Sequence, residues 1–147
     1  MSEYRLQVAI IDHLRGQQRK GNKIYPGTKP FANLFVTHLY QGRSKNEGFF
    51  LKSLGVYPGV ADILAIWPDG WGFMEVKTEN GVLSTPQKRF KWMCESYKIK
   101  WALIRSVQQA HDQLKAWGLK PAHEAVREPD LRTIEQKKSD AFDFYRP

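Results

Sequence analysis

The chain has 147 residues, 41% apolar and 13% aromatic, which is one domain with material for a real core and excludes an intrinsically disordered chain. Lys and Arg number 23 against 15 Asp and Glu, and the resulting formal charge of +8 points to a polyanionic partner, nucleic acid foremost. The single cysteine, Cys94, excludes an intramolecular disulfide and suggests a reducing compartment, and no stretch reaches the ~18 apolar residues of a membrane helix.

Residues 3–15 carry Leu6, Ala9, Ile10, His13 and Leu14 on one stripe at helical spacing, which predicts a helix. Gly16 to Pro30, rich in glycine, proline and basic residues, reads as a loop. NLFVTHLY (33–40) alternates like a strand. A short helix fits 44–55, opened by the Ser44-x-x-Glu47 spacing and closed on Gly55. DILAIW (62–67), PDGW (68–71) and GFMEVK (72–77) form a β-hairpin. A helix follows over 81–97, with Ser84 and Thr85 as caps and Pro86 at its first helical position. IKWALIRS (99–106) is a further strand. Val107, Ala110, Leu114 and Trp117 mark a last helix, stopped by Gly118 and Pro121. The alternation predicts an α/β fold, a mixed central sheet flanked by helices, in residues 1–121. Residues 122–147, charged and weakly periodic, read as a tail or arm.

The hairpin holds charges where apolar strands normally have none. Side chains two apart share a face, so Glu75 and Lys77 are neighbours with Val76 turned away. A two-residue loop at Asp69-Gly70 or a four-residue loop at 68–71 sets Asp62 opposite Lys77 and Leu64 opposite Glu75. Either even-length loop leaves Asp62, Glu75 and Lys77 on one face, with opposite residues ~5 Å apart. An isolated Glu-x-Lys is ordinarily an edge ion pair. Here the aspartate at matching parity, the apolar strands and the basic composition argue for a site. Two carboxylates sharing a site repel, and Mg²⁺ or Mn²⁺ held by oxygen ligands removes that conflict. Such an ion would polarise a phosphoryl oxygen, with Lys77 orienting the attacking water or neutralising charge on the phosphate.

Gln87 lies on the stripe Phe90, Met93, Cys94 and Tyr97 expected to face the sheet, where a polar side chain needs a partner such as a metal-held water or phosphate. Arg15, Arg19, Lys20, Lys23 and Lys29 in the first loop are candidate phosphate contacts, as are Lys88, Arg89 and Lys91 on the far side of the 81–97 helix. His38 reads as a packed strand histidine, and His13, His111 and His123 show no metal spacing. Trp67, Trp71, Trp92, Trp101 and Trp117 read mainly as core, although Trp71 and Tyr57, in turns, have the chemistry to stack on unpaired bases. Cys94 reads as an inert core thiol.

A Gly-x-x-Asp turn before a strand, a hairpin and then Glu-x-Lys resembles the PD-(D/E)xK nuclease superfamily. The longer run "LKSLGVYPGVADIL", "GFMEVKTENGVLSTPQKRFKWM" and "ALIRSVQQA" resembles one branch of it, the VRR-NUC domain, in order over roughly residues 51–110. Alanine (Ala61) stands where the family usually has proline before the aspartate. The resemblance implies a restriction-endonuclease-like fold with Asp62 and Glu75 as metal-binding carboxylates and the Val76 carbonyl as a further ligand. It implies Lys77 as the catalytic lysine and Gln87 as the glutamine of the following helix. Glu3 matches a first-helix glutamate that reaches the site, although Gln7 and Asp12 share that helix. The expected activity is Mg²⁺- or Mn²⁺-dependent endonucleolytic cleavage of DNA. Small stand-alone members of bacterial or phage type imply a homodimer acting on branched DNA such as four-way junctions. A cytoplasmic location is expected, in a bacterial cell or phage-infected host, since MSEYRLQ lacks an export signal. The alternatives are a catalytically inactive DNA-binding module of the same fold, and a metal-dependent hydrolase of another phosphate ester.

Overall fold

The computed structural model describes residues 1–40, 42 and 44–122, so the tail proposed for 122–147 lies, Ala122 apart, outside the described residues. Helix α1 spans Glu3–Arg15 and is capped by the Ser2 side chain, which accepts from the Arg5 N–H. Strands β1 (Gln17–Lys20) and β2 (Lys23–Pro26) follow, then β3 (Phe35–His38), helix α2 (Lys45–Ser53), β4 (Ile63–Trp67) and β5 (Gly70–Val76). Helix α3 (Thr85–Ser96), β6 (Lys100–Ile104) and α4 (Val107–Ala116) complete the order.

The strands β3-β4-β5-β6 form one mixed sheet, antiparallel except for the parallel β5–β6 pair. A parallel pair needs a crossover, and α3 supplies it. Leu6, Ile10, Ile11 and Leu14 of α1 and Ala110 and Leu114 of α4 pack on one face, against Val36, Ile63, Ala65, Trp67, Met74, Val76, Ala102 and Ile104. On the other face α3 docks through Phe90 and Cys94, with Phe73, Met93 and Trp101 around them. The result is a three-layer α/β arrangement of the restriction-endonuclease-like kind. Among the described residues, no helix is long and apolar enough to cross a membrane.

Four sequence expectations are corrected. Gly16 to Pro30 is not a loop throughout, because β1 and β2 pair as a small separate hairpin. Its strands are polar and mostly exposed, with Ile24 alone buried, so no apolar alternation announces them. In the β4–β5 hairpin Trp67 pairs with Gly70, which makes the loop Pro68-Asp69 and shifts the register by one pair. Pro68 supplies the fixed φ and absent N–H that suit a first corner position. Gly70 lies so close to the Trp67 ring that an added Cβ would stand 3.1 Å from it. Finally, Trp92 is 70% exposed and not core, and Tyr97 is 70% exposed although it continues the stripe of Phe90 and Cys94.

Across the first face His13 and His111 join α1 to α4, their ring nitrogens 3.0 Å apart, and Phe31 packs on the His111 ring. Burial and the neighbouring His111 hold His13 below the ordinary histidine range. Cys94 is buried, and burial raises its thiol. Gly59, at φ +85°, seats the turn before β4 directly on the start of α3. A Cβ there would lie 2.3 Å from the Pro86 carbonyl carbon. Gly59→Ala is therefore expected to cost about 2–3 kcal/mol, from strain and displacement of α3, and to lower the thermal midpoint by roughly 5–10 °C. An unchanged midpoint in a thermal melt would contradict this packing.

Candidate active site

The corrected register carried one step further sets Asp62 opposite Glu75, not opposite Lys77. Both the expected and the observed loops have even length, so parity is unchanged: Asp62 and Glu75 share the side on which α3 packs, and Lys77, just past the end of β5, reaches Glu3 of α1. The two carboxylates are direct cross-strand neighbours.

Asp62 is fixed by its main chain and its side chain together. Its carbonyl accepts from the Leu39 N–H at 2.8 Å and from His38 Nδ1 at 2.9 Å. Its Oδ2 accepts from the Val76 N–H at 2.8 Å, closing the strand end where β4 has no further backbone to offer. His38 is thus hydrogen-bonded in its strand, as expected, but exposed rather than packed, and its bond anchors Asp62.

Glu75 is 1% exposed, and among the described residues it is the one buried charged side chain. Its Oε1 accepts from Gln87 Nε2 at 2.8 Å, whereas Oε2 is buried without a hydrogen-bond partner. Burial first, and then the charge and contact of Asp62, push the Glu75 carboxyl up to about 9; the Lys77 ammonium opposes this only in part. Two ionised carboxylates offer only acceptors to each other, so a shared proton or a cation is what would satisfy Oε2. Among the described residues no group of three or more His, Cys, Asp or Glu side chains is placed to hold a metal. A cation bound by the carboxylate pair would therefore complete its shell from the main chain, water or substrate.

Gln87 does two jobs with one amide. Its Oε1 accepts from the Ser84 N–H at 2.8 Å, completing a capping box with the Ser84 hydroxyl, while its Nε2 holds Glu75. Glu and Gln are both ordinary in that box, but only Gln can donate toward a carboxylate. Lys77, largely buried, forms an ion pair with Glu3 at 3.1 Å from the first turn of α1. Of the three polar candidates on α1, Glu3 is the one that meets Lys77. Asp12 instead binds Gln17 and Arg19.

One residue at this end of the sheet went unrecognised in the sequence. Arg105, just after β6, donates from Nη1 to the carbonyls of Thr78, Glu79 and Gly81. A single guanidinium thereby pins the loop between Lys77 and α3. Partners 24–27 residues away leave no local signal; an arginine closing an apolar strand was the only hint.

The basic candidates are not gathered in one place. Arg19 is held by Asp12 at 3.1 Å, and Lys20 and Lys23 flank the β1–β2 turn beside α1. Lys88, Arg89 and Lys91 ride α3, on the opposite face of the sheet, which is the face of the carboxylates.

No family model and no curated protein matches the sequence. A solved structure described as a VRR_NUC domain protein is similar in fold, with a TM-score of 0.55 over 78% of this chain and 86% of that one, at 16% identity. At that identity the likeness concerns the fold alone.

Two outcomes follow for the protein in chelator. A carboxyl raised in the folded state binds its proton more tightly than in the unfolded chain, so it lowers stability as pH rises from about 4.5 to about 9. Glu75→Gln should then melt above the wild type at pH 8, by on the order of a few kcal/mol, with the gap closing toward pH 5. Gln87→Glu keeps the cap but faces Glu75 with a third carboxylate. It should cost about 1–3 kcal/mol, and the double variant Glu75→Gln, Gln87→Glu should recover most of that. A double variant no better than Gln87→Glu would show that the amide bond to Glu75 is not what matters.

Proposed function

We propose that this protein is a VRR-NUC-type, divalent-metal-dependent endonuclease that hydrolyses phosphodiester bonds in DNA, branched DNA in particular. The observation that carries the reading is the buried, unpartnered Glu75 oxygen beside Asp62, with the Lys77 ammonium close enough to act on Glu75 and Gln87 holding its other oxygen. The donors are hard oxygens and the pair carries more negative charge than its surroundings tolerate, which fits Mg²⁺ or Mn²⁺. Asp62, Glu75 and the Val76 carbonyl would hold the ion, and when bound it supplies Lewis acidity toward a phosphoryl oxygen.

The remaining steps belong to the chain. Gln87 keeps Glu75 turned inward and leaves Oε2 available. Glu3 restrains the Lys77 ammonium in the resting protein, and a phosphate arriving at the site competes for that ammonium. Lys77 then orients the water or neutralises charge developing on the phosphate. Lys88, Arg89 and Lys91 on α3 would contact the phosphate backbone, and a homodimer would present two such sites for paired incisions.

The test is a manganese-supported assay on labelled four-way junctions, flaps and linear duplexes, with the assembly sized in parallel. The wild type should cut branched DNA, and chelator should abolish cutting. Lys77→Ala should lower the cleavage rate roughly a hundredfold or more while keeping DNA affinity within severalfold. A wild type that binds DNA yet cuts nothing in Mg²⁺ or Mn²⁺ would instead establish a binding module.

A further inference from the structure

Resting on the reading of this face as a polynucleotide-cleaving site, we propose that Phe35, Ile66 and Trp71 form a ledge on which unpaired bases stack. The substrate class is then nucleic acid with single-stranded positions next to the cut. In register, Phe35 pairs with Ile66 and Ile66 with Trp71, so the three stand in one row across β3, β4 and β5. Strand parity puts that row on the face of Asp62 and Glu75. Large apolar side chains on a sheet face are normally covered, yet these are 54%, 42% and 45% exposed.

The row is open because α3 covers only the β5–β6 side of this face, through Phe90 on Phe73. Helix α2 buries none of its own side chains. Trp71 is nonetheless held in orientation: its ring meets Phe73 edge-on at 5.5 Å and 84°, and Phe73 meets Phe90 at 5.0 Å and 77°. Edge-to-face contacts fix a ring without hiding its faces. An aromatic set upright and left half-open is a stacking surface, and it suits any base because every base has a π face.

Position and charge select the occupant. Four residues separate Trp71 from Glu75 along β5, about 13 Å at the usual rise, which is a span of a few nucleotides. Lys88 and Arg89 are exposed on α3, and Lys91 lies over the ring of Trp101, which registers with Phe73. A strand with bases on the ledge and phosphates toward α3 would thus run to the carboxylates. In a duplex the base faces are already stacked on one another and offer the ledge nothing. A second copy of this chain, itself at +8, would bring like charge against the α3 flank.

The experiment measures binding of fluorescein-labelled oligothymidine and of a blunt duplex in chelator, with sizing and melting of each variant. Trp71→Ala should weaken oligothymidine binding roughly 5- to 100-fold, duplex binding less than about twofold, and Trp71→Phe should keep most of the affinity. No binding of oligothymidine by the wild type, no loss in Trp71→Ala, or equal loss on duplex would each overturn the ledge. So would a halved particle size in Trp71→Ala, which would make the row an interface between copies. The nuclease reading fails separately, if the wild type cuts no DNA in manganese; Trp71-dependent binding of oligothymidine would then still stand.

Discussion

A carboxylate with 1% exposure set opposite a second carboxylate is the constraint around which this end of the molecule is organised. Burial and the Asp62 charge both disfavour ionised Glu75, so the fold tolerates the pair by holding a proton that an exposed glutamate would have lost. That arrangement costs stability at neutral pH, where the unfolded chain would release the proton. A fold optimised for stability alone would place an apolar residue there, as it does at the flanking Met74 and Val76. A costly group kept at one position amid a well-packed sheet is what supports the proposal of a functional site there.

The scaffold holds that position by tying side chains to main chain. Asp62 takes the Val76 N–H, Gln87 takes the Ser84 N–H, and Arg105 takes three carbonyls of the 78–81 loop. Backbone partners are set by the fold and do not swing away, so each bond turns secondary structure into side-chain position. The capping box shows the economy of this. The amide that starts α3 is the amide that orients Glu75, and the crossover helix cannot shift without taking the carboxylate's partner with it. Gly59 against Pro86 locks the same helix to the approach of β4. Both strands that carry carboxylates are therefore referenced to α3.

The face shared by Asp62 and Glu75 was legible in the sequence because parity survives any even-length loop, whereas an odd one would have set Ile63 and Ala65 on the opposite face from Met74. The pairing was not legible, since moving the turn by one residue along both strands keeps the pattern and changes only the partners. Proline and a ring packed on Gly70 decided it. The β1–β2 hairpin escaped because Gln17–Lys20 carries no apolar alternation. Gln87 was recognisable as a polar residue on a buried stripe, yet its partner, twelve residues earlier on β5, required the sheet. Trp92 and Tyr97 misled in the opposite sense: Trp92 lies on the side of α3 away from Phe90 and Cys94, and Tyr97 is the C-cap beyond the last helical residue. Local chemistry was readable, and contacts between distant elements were not.

Charge is distributed over two faces, and this separates composition from function. The +8 balance points to a polyanionic partner but not to where it binds: Lys20 and Lys23 belong to the α1 side, while Lys88, Arg89 and Lys91 lie on α3, which packs on the face of the carboxylates. A polyanion lying along the carboxylate face meets the α3 residues directly; the hairpin lysines would contact it only around the edge of the sheet. At physiological ionic strength charges separated by more than about 8 Å are largely screened. On the proposed nuclease reading, the α3 lysines and arginine would act locally on a bound strand, and the hairpin would serve as a second contact or on approach. The two clusters accordingly have different expected signatures: substitutions on α3 should change how a strand sits at the carboxylates, and substitutions at the β1–β2 turn should change mainly the salt dependence of association.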